Sequence, residues 1–378
     1  MKRNLDALDA LKGVAAMAVA LYSWSVFTAW ADGKVVAEFY LAIDFFFVFT
    51  GFLLAEVYRD QMKRGADLTK FVILRLARLY PIHLFFLLPL AGIEAMKMFY
   101  GAMGAPATGP GAFMAEHLSL SGLFANLTLT QIFGFVSTPG WNEPSWYVAA
   151  EFWVSLAFAG ICLVGVMRNT IGRACFFAVV AGAGIWLAVA GMHIEGAGAL
   201  ARGIYAIGLG VAAQSLLRIP AIDAWLADKR ARAGLALEVG ALVLLVAYFA
   251  VAGEGAGFIA PLIFVVVLLA FVDGGAIISR VLKTAPFQVL GRFSYSIYMS
   301  HFLFILPMRG VVEQNGMEAV QTVATYGVGV YLGLTLVVGV ITEKLVEAPT
   351  RDFVRDWLNG QAWAQRKPDA DQAKPATA

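Results

Sequence analysis

Ala42-Ile43-Asp44-Phe45-Phe46-Phe47-Val48-Phe49-Thr50-Gly51-Phe52-Leu53 is a run of twelve residues that contains five phenylalanines and a single charge, Asp44. It lies inside a longer apolar stretch, 38–57, and a bilayer-crossing helix needs about 20 mostly apolar residues. Outward from this stretch the same criterion finds nine more, at 11–31, 74–95, 144–167, 174–194, 200–217, 234–253, 256–273, 291–309 and 319–342. The expected fold is therefore all-α and integral to the membrane, a bundle of ten transmembrane helices. Composition agrees: 60% of the 378 residues are hydrophobic and 14% charged, against roughly a quarter charged in soluble chains. Mean hydropathy is +0.74. Soluble, disordered and fibrous classes are excluded.

Residues 118–142 carry one histidine-free, charge-free run, but Ser119, Ser121, Asn126, Thr128, Thr130 and Gln131 make it too polar for lipid. It is expected as an interfacial or re-entrant segment on the outer face. The distribution of basic residues supports that choice. With ten spans and a cytoplasmic N-terminus, 24 of the 28 Lys and Arg residues fall inside, leaving Lys34, Lys97, Arg202 and Arg309 outside. An eleventh crossing would scramble this asymmetry, so both termini are placed in the cytoplasm. The first span is not expected to be a cleaved signal, because Asp6 and Asp9 interrupt its basic start. The expected organisation is a transmembrane domain over 1–345, a short amphipathic surface helix over 346–363, and a disordered tail over 364–378. Cys162 and Cys175 have no metal-ligand spacing with a histidine and are expected to be packing residues.

Ionisable groups within spans are costly and mark candidate sites. At 1.5 Å rise per residue they fall into three tiers. The inner tier is basic: Lys12, Arg75, Arg78 and Arg292, with Arg75 and Arg78 sharing a helix face. The middle tier holds His83, His301 and Ser23, the last eleven residues, or about 16 Å, beyond Lys12. Alone, Ser23 reads as a serine bonded back to its own helix. The outer tier is acidic: Asp44 and Glu151, each about 9 Å from the outer surface, with Asn142 and Glu143 at the rim. His117 and His193 are expected to be solvated. This order suits a phosphorylated donor docking from the cytosol and a base that deprotonates an acceptor arriving from the other side. Proton-coupled transport uses similar groups, and composition does not separate the two.

At these positions the chain resembles the membrane acyltransferase 3 family, bacterial O-acyltransferases of surface polysaccharides and small molecules. The similarity rests on Leu5-Asp6-Ala7-Leu8 through Lys12-Gly13-Val14-Ala15-Ala16, the run 42–53, and Arg75-x-x-Arg78 with Leu79-Tyr80-Pro81. It continues in Pro144-Ser145-Trp146-Tyr147 through Glu151-Phe152-Trp153, in Gly291-Arg292-Phe293-Ser294-Tyr295-Ser296-Ile297-Tyr298-Met299-Ser300-His301, and in Glu347-Ala348-Pro349-Thr350-Arg351. The family pattern has a histidine eleven places after the first basic residue. Here that position is Ser23.

The resemblance implies a bacterial inner-membrane enzyme that moves an acyl group, expected to be acetyl, from acyl-coenzyme A to a carbohydrate hydroxyl. Lys12, Arg75 and Arg78, with Tyr80 and His83, would bind the donor. Position 23, Asp44, Glu151 and His301 would form the catalytic site, and Asn142, Trp146, Tyr295 and Tyr298 would hold a glycan or lipid-linked sugar acceptor. No metal and no nucleic acid are expected; membrane lipids are partners and a homo-oligomer is allowed. Because serine is no base near neutral pH, the chain is expected to be an impaired variant. The alternatives are a transporter or flippase for an acyl donor or lipid-linked sugar, and a catalytically silent scaffold.

Overall fold

The computed structural model describes residues 3–30, 33–103, 118–136, 140–192, 196–253, 255–361 and 363. His117, His193 and the 364–378 tail lie outside the described residues. All regular structure among the described residues is helical. In chain order the helices are α1 (Asp6–Ser25), α2 (Lys34–Ala37), α3 (Ile43–Val57), α4 (Gly65–Ala102), α5 (Leu120–Leu127), α6 (Ser145–Leu163), α7 (Thr170–Ala190) and α8 (Gly196–Leu217). They continue as α9 (Pro220–Val251), α10 (Ala260–Phe271), α11 (Ile277–Leu282), α12 (Ala285–Arg292), α13 (Ser294–Ser300), α14 (Phe302–Asn315), α15 (Met317–Thr342) and α16 (Ala348–Asn359).

Among the described residues, eight helical segments are long and apolar enough to cross a membrane, and they coincide with eight of the ten expected stretches. The ninth, at 291–309, falls in α12–α14, where the chain bends by 59° around Phe293. The remaining stretch is shorter than expected: Gly257–Phe271 opens with a 3-10 turn before α10. The polar segment 118–136 forms no span. α5 and a 3-10 turn at Gln131–Phe133 are instead stitched to the bundle. Trp153 Nε1 donates to the Leu129 carbonyl at 2.7 Å, and Ser145 Oγ donates to Asn126 Oδ1 at 2.8 Å.

The distribution of polarity is that of a protein dissolved in lipid. Many of the side chains exposed on α7, α9 and α15 are apolar, such as Val179, Val189, Val246, Val330 and Val337. The interior holds Asp44, Arg75, His83, Glu151, Arg202 and His301, as expected where only the bundle can satisfy charge. Cys162 is buried as expected, whereas Cys175 is exposed on α7.

α3 is the central rod. A helix apolar on all sides must be buried on all sides, and Phe45, Phe46, Phe47, Val48, Phe49 and Phe52 are all buried. Its main partner is α8, and the two backbones meet at glycines. A Cβ on Gly51 would lie 1.9 Å from the Ile207 carbonyl oxygen, and one on Gly210 would lie 2.0 Å from the Val48 carbonyl oxygen. Small residues of this kind let helices approach closely in membranes. α1 is clasped to α15 by Trp24, which donates to the Ala324 carbonyl at 2.9 Å and stacks on Tyr331 at 4.3 Å.

Gly210→Leu should therefore push α8 off α3 and cost about 3 kcal/mol or more, seen as a lowered thermal midpoint in detergent. Gly240→Leu, where an added Cβ meets nothing within 4 Å, should leave the midpoint unchanged. Equal behaviour of the two variants would contradict the close approach.

Candidate functional site

The structure gathers the expected residues into two clusters rather than three tiers. The first surrounds Arg75 and Arg78, which α4 presents on one face. Arg75 Nη1 donates to Glu151 Oε1 at 2.8 Å, and Thr50 Oγ1 donates to the same oxygen at 3.2 Å. Glu151, expected in the outer tier about 9 Å from the surface, thus pairs directly with the basic cluster. Arg78 lies in the field of Glu151 and Glu347, with Tyr147 and Tyr295 beside it. It makes no hydrogen bond among the described residues. Lys12 pairs with Asp9 at 2.7 Å and lies 4.9 Å over the Phe49 ring, within electrostatic reach of Arg78.

Glu347 closes this cluster from the far end of the chain. α15 runs through a π-turn, Glu343–Glu347, into α16, and the turn delivers a buried carboxylate that accepts from Ser296 Oγ at 3.1 Å. Tyr295, expected with the acceptor, belongs to this cluster as well, and its hydroxyl donates to the Leu79 carbonyl at 2.6 Å. Tyr80 and His83 turn their polar ends elsewhere. Tyr80 donates to the Leu127 carbonyl at 2.6 Å, and His83 Nε2 meets the Asn126 carbonyl at 2.9 Å, so both brace the 118–136 segment.

The second cluster encloses a cavity of about 200 Å³ lined by Tyr22, Ser23, Trp146, Arg202, Tyr298 and His301, with the Glu143–Arg309 ion pair (2.9 Å) at its edge. Ser23 and His301 thus share one chamber. α1 ends at Ser25, six residues short of the expected span, so Ser23 sits on its last turn. Its Oγ donates to the Val19 carbonyl at 3.0 Å. His301 lies where α13 passes into α14, and its Nδ1 is held by the Tyr298 carbonyl. A neutral imidazole that donates from Nδ1 keeps a lone pair on Nε2, which has no protein partner among the described residues. Tyr298 is fixed in turn by donating to the Pro144 carbonyl at 2.9 Å. Asn142 is buried one residue from the edge, with its Nδ2 unpartnered.

Arg202 is the functional candidate that the sequence reading passed over. It is 1% exposed and grips Asp44 with two parallel bonds, Nε to Oδ1 at 2.9 Å and Nη2 to Oδ2 at 3.0 Å. Trp146 and Tyr40 flank the guanidinium at 5.2 and 5.6 Å. The signal was available in the sequence: Arg202 is a charge within an apolar stretch, which nominates a site, yet it was counted only as an outer-face cation. Between the clusters lies a layer of buried rings, Phe46, Tyr147 and Tyr298, with the tyrosine centroids 5.4 Å apart. Among the described residues no group of three or more His, Cys, Asp or Glu side chains is arranged to hold a metal ion.

A basic cluster and a histidine chamber lie in one helical membrane bundle, and comparison with known proteins supplies the class. The chain belongs to the acyltransferase 3 family, whose profile, described as an acyltransferase domain, matches residues 5–343. It is also similar to a Rhizobium radiobacter protein described as "Protein 2 in picA locus", 34% identical over 100 residues. That segment covers 26% of this chain and 49% of the relative, so the chain spans about half the length of that curated protein. No solved structure matches.

The Asp44–Arg202 pair supplies its own test. Asp44→Asn leaves a buried arginine without its counter-charge, which should cost about 3–5 kcal/mol in reversible unfolding. A change too small to measure would remove the pair from any role in holding the chamber.

Proposed function

We propose that the protein is a bacterial inner-membrane O-acyltransferase that takes a short acyl group, acetyl by preference, from acyl-coenzyme A and passes it to a carbohydrate hydroxyl. The observation that carries this reading is the pairing of a cationic cluster with a separate small chamber holding a histidine whose Nε2 is free. Arg75 and Arg78 offer the planar, bidentate donors that suit phosphates, with Lys12 adding charge. Arg78 is the member with no hydrogen bond of its own to give up. The chamber's small volume favours a short acyl chain and the reacting end of an acceptor, since whole drug-sized ligands occupy about 300–1,000 Å³. Aromatic sides and polar edges suit a sugar, whose C–H faces stack on rings while its hydroxyls find partners. Thiol ester and acceptor meet only when the rings of Phe46, Tyr147 and Tyr298 part.

The base in this reading is His301. Position 23 cannot supply one, but the chamber that Ser23 lines contains an imidazole oriented by a backbone carbonyl. Glu151 then serves as the anchor of Arg75, Asp44 as the anchor of Arg202, and Tyr80 and His83 as braces rather than donor contacts. Tyr298 and Trp146 line the acceptor's approach, and Asn142 and Tyr295 support them from behind.

In nanodiscs with acetyl-coenzyme A, Arg78→Ala should weaken coenzyme A binding by about 1.5–3 kcal/mol, while Arg280→Ala should change it little. His301→Gln should lower transfer by about 10²–10⁴-fold, the usual worth of general-base assistance, with coenzyme A affinity retained. Ser23→Ala should stay close to the unaltered rate. A Ser23→His variant at least about a hundredfold faster than the unaltered chain would instead show that the present chain lacks its base.

We further propose ten crossings with both termini in the cytoplasm. The eight long apolar helices, the bent α12–α14 unit and Gly257–Phe271 supply ten segments, and the basic-residue asymmetry supplies the orientation. In a cysteine-free background, Lys34→Cys and Gln314→Cys should react with an impermeant thiol reagent from outside, whereas Lys63→Cys, Arg173→Cys and Lys229→Cys should not. Outside labelling at 229 would refute the ten-span arrangement.

A further inference from the structure

The guanidinium of Arg202 has five N–H donors in a fixed fork. Nε and Nη2 are directed at Asp44, and Nη2 also lies 3.4 Å from the Tyr40 carbonyl. Nη1, with its two N–H groups, is fully buried and has no acceptor among the described residues. Unmet donors on a buried charged group are costly, and this one belongs to a residue lining the same chamber as His301. The position is also rigid: Asp44 holds the fork from one side, and Trp146 and Tyr40 hold its faces. A positively polarised N–H held in a fixed fork is what charge developing on oxygen requires, once the wall that covers Nη1 parts to admit the carbonyl.

We propose that Arg202 Nη1 holds the carbonyl oxygen of the acyl group and the oxyanion it becomes during transfer. The inference rests on the acyl-transfer reading above and adds to it the catalytic residue that stabilises the intermediate. In the step so assigned, His301 Nε2 takes the proton of the acceptor hydroxyl as that oxygen bonds to the thioester carbon. The C=O π pair moves onto oxygen and is met by Nη1–H. When the C=O bond re-forms, the C–S bond breaks, and the thiolate of coenzyme A takes the proton from His301. Atoms and charge balance, and no further reactant is needed. Asp44 touches no substrate in this scheme; it is a positioning residue that keeps Arg202 planar and aimed.

The test uses the full chain in nanodiscs, acetyl-coenzyme A as donor and a set of methyl glycosides as acceptors, with thiol release followed over time. Coenzyme A affinity is measured separately by calorimetry and folding by thermal unfolding. Two variants are compared: Arg202→Lys, which keeps a cation for Asp44 but loses the fork, and Arg202→Gln/Asp44→Asn, which replaces the ion pair by a neutral hydrogen-bonded one. Both should lower kcat by about 10²–10³-fold, the usual loss for one oxyanion donor, with coenzyme A affinity kept within about twofold. Methylguanidinium added to an Arg202→Gly variant should restore part of the rate. If either folded variant transfers at the unaltered rate, or loses rate only through KM, Arg202 is structural and the proposal is overturned. If one variant fails to fold, the other decides. Should the unaltered chain itself neither bind coenzyme A nor release thiol, the acyl-transfer reading falls, and this inference falls with it. An active unaltered chain with active Arg202 variants removes this inference alone.

Discussion

The ion pair between Asp44 on α3 and Arg202 on α8 is the constraint on which the rest of the bundle depends. Both side chains are essentially inaccessible to solvent, in a part of the protein where an unpaired charge is costly. Desolvating two ions is repaid only by close, hydrogen-bonded geometry, and the parallel Nε and Nη2 bonds provide it. That geometry in turn requires α3 and α8 to approach almost backbone to backbone. Gly51 and Gly210 allow this, since a side chain on either would enter the carbonyl of the other helix. The charge pair and the glycine contacts thus enforce one another. Loss of the glycines would separate the charges, and loss of a charge would leave its partner stranded between closely packed helices.

From that fixed axis, two short helical stretches connect the clusters. On α6, Trp146 faces the chamber and Glu151 holds Arg75 five residues later, about 7.5 Å along the helix. On α13, Tyr298 lines the chamber and Tyr295 abuts Arg78 from one turn away. Every residue of α13 is buried, so it has little freedom to move alone. A displacement of α6 or α13 caused by a ligand at Arg75 and Arg78 would therefore be transmitted to the chamber walls. The ring layer of Phe46, Tyr147 and Tyr298 draws one residue from each of α3, α6 and α13, the same elements that carry the two clusters.

Much of the fold was legible in the sequence, because a bilayer imposes a length and an apolar composition that can be read residue by residue. Eight stretches became helices as expected, and the polar 118–142 segment did not become a span. Misreadings came where straight-helix depth arithmetic was applied to chain that is not straight. Glu151 was given an outer depth, yet it meets Arg75, because α4 is 38 residues long and carries Pro81 and Pro89. A 38-residue helix measures about 57 Å, far beyond the roughly 30 Å hydrocarbon core, so its start says little about where Arg75 lies. The spacing of eleven residues from Lys12 puts Ser23 near mid-span, yet α1 ends two residues beyond it. Glu347 reached the basic cluster through a π-turn that no periodicity argument anticipates. Arg202 was visible and undervalued, since a charge tally treats a residue as topology when its burial makes it chemistry.

The substitution at position 23 bears on how tightly a catalytic base is tied to one place in the chain. A base needs reach to the acceptor's proton, a defined tautomer and a site that excludes bulk water. Ser23 on the last turn of α1 meets none of these with a hydroxyl already bonded to Val19. His301 approaches the same chamber from the α13–α14 junction and meets each of them through its surroundings. The Tyr298 carbonyl orients the ring, the side chain is buried, and the shared cavity gives reach. In the proposed reading the base stands at that junction rather than on α1, and the acceptor is deprotonated from a different direction. This placement leaves the donor cluster and the Arg202 fork where they are, since neither is built on α1 beyond Lys12. The cost of the change falls on the acceptor, whose hydroxyl must be presented toward Tyr298 rather than toward Ser23. In the proposed reading, acceptor geometry is therefore the property that a base at His301 sets.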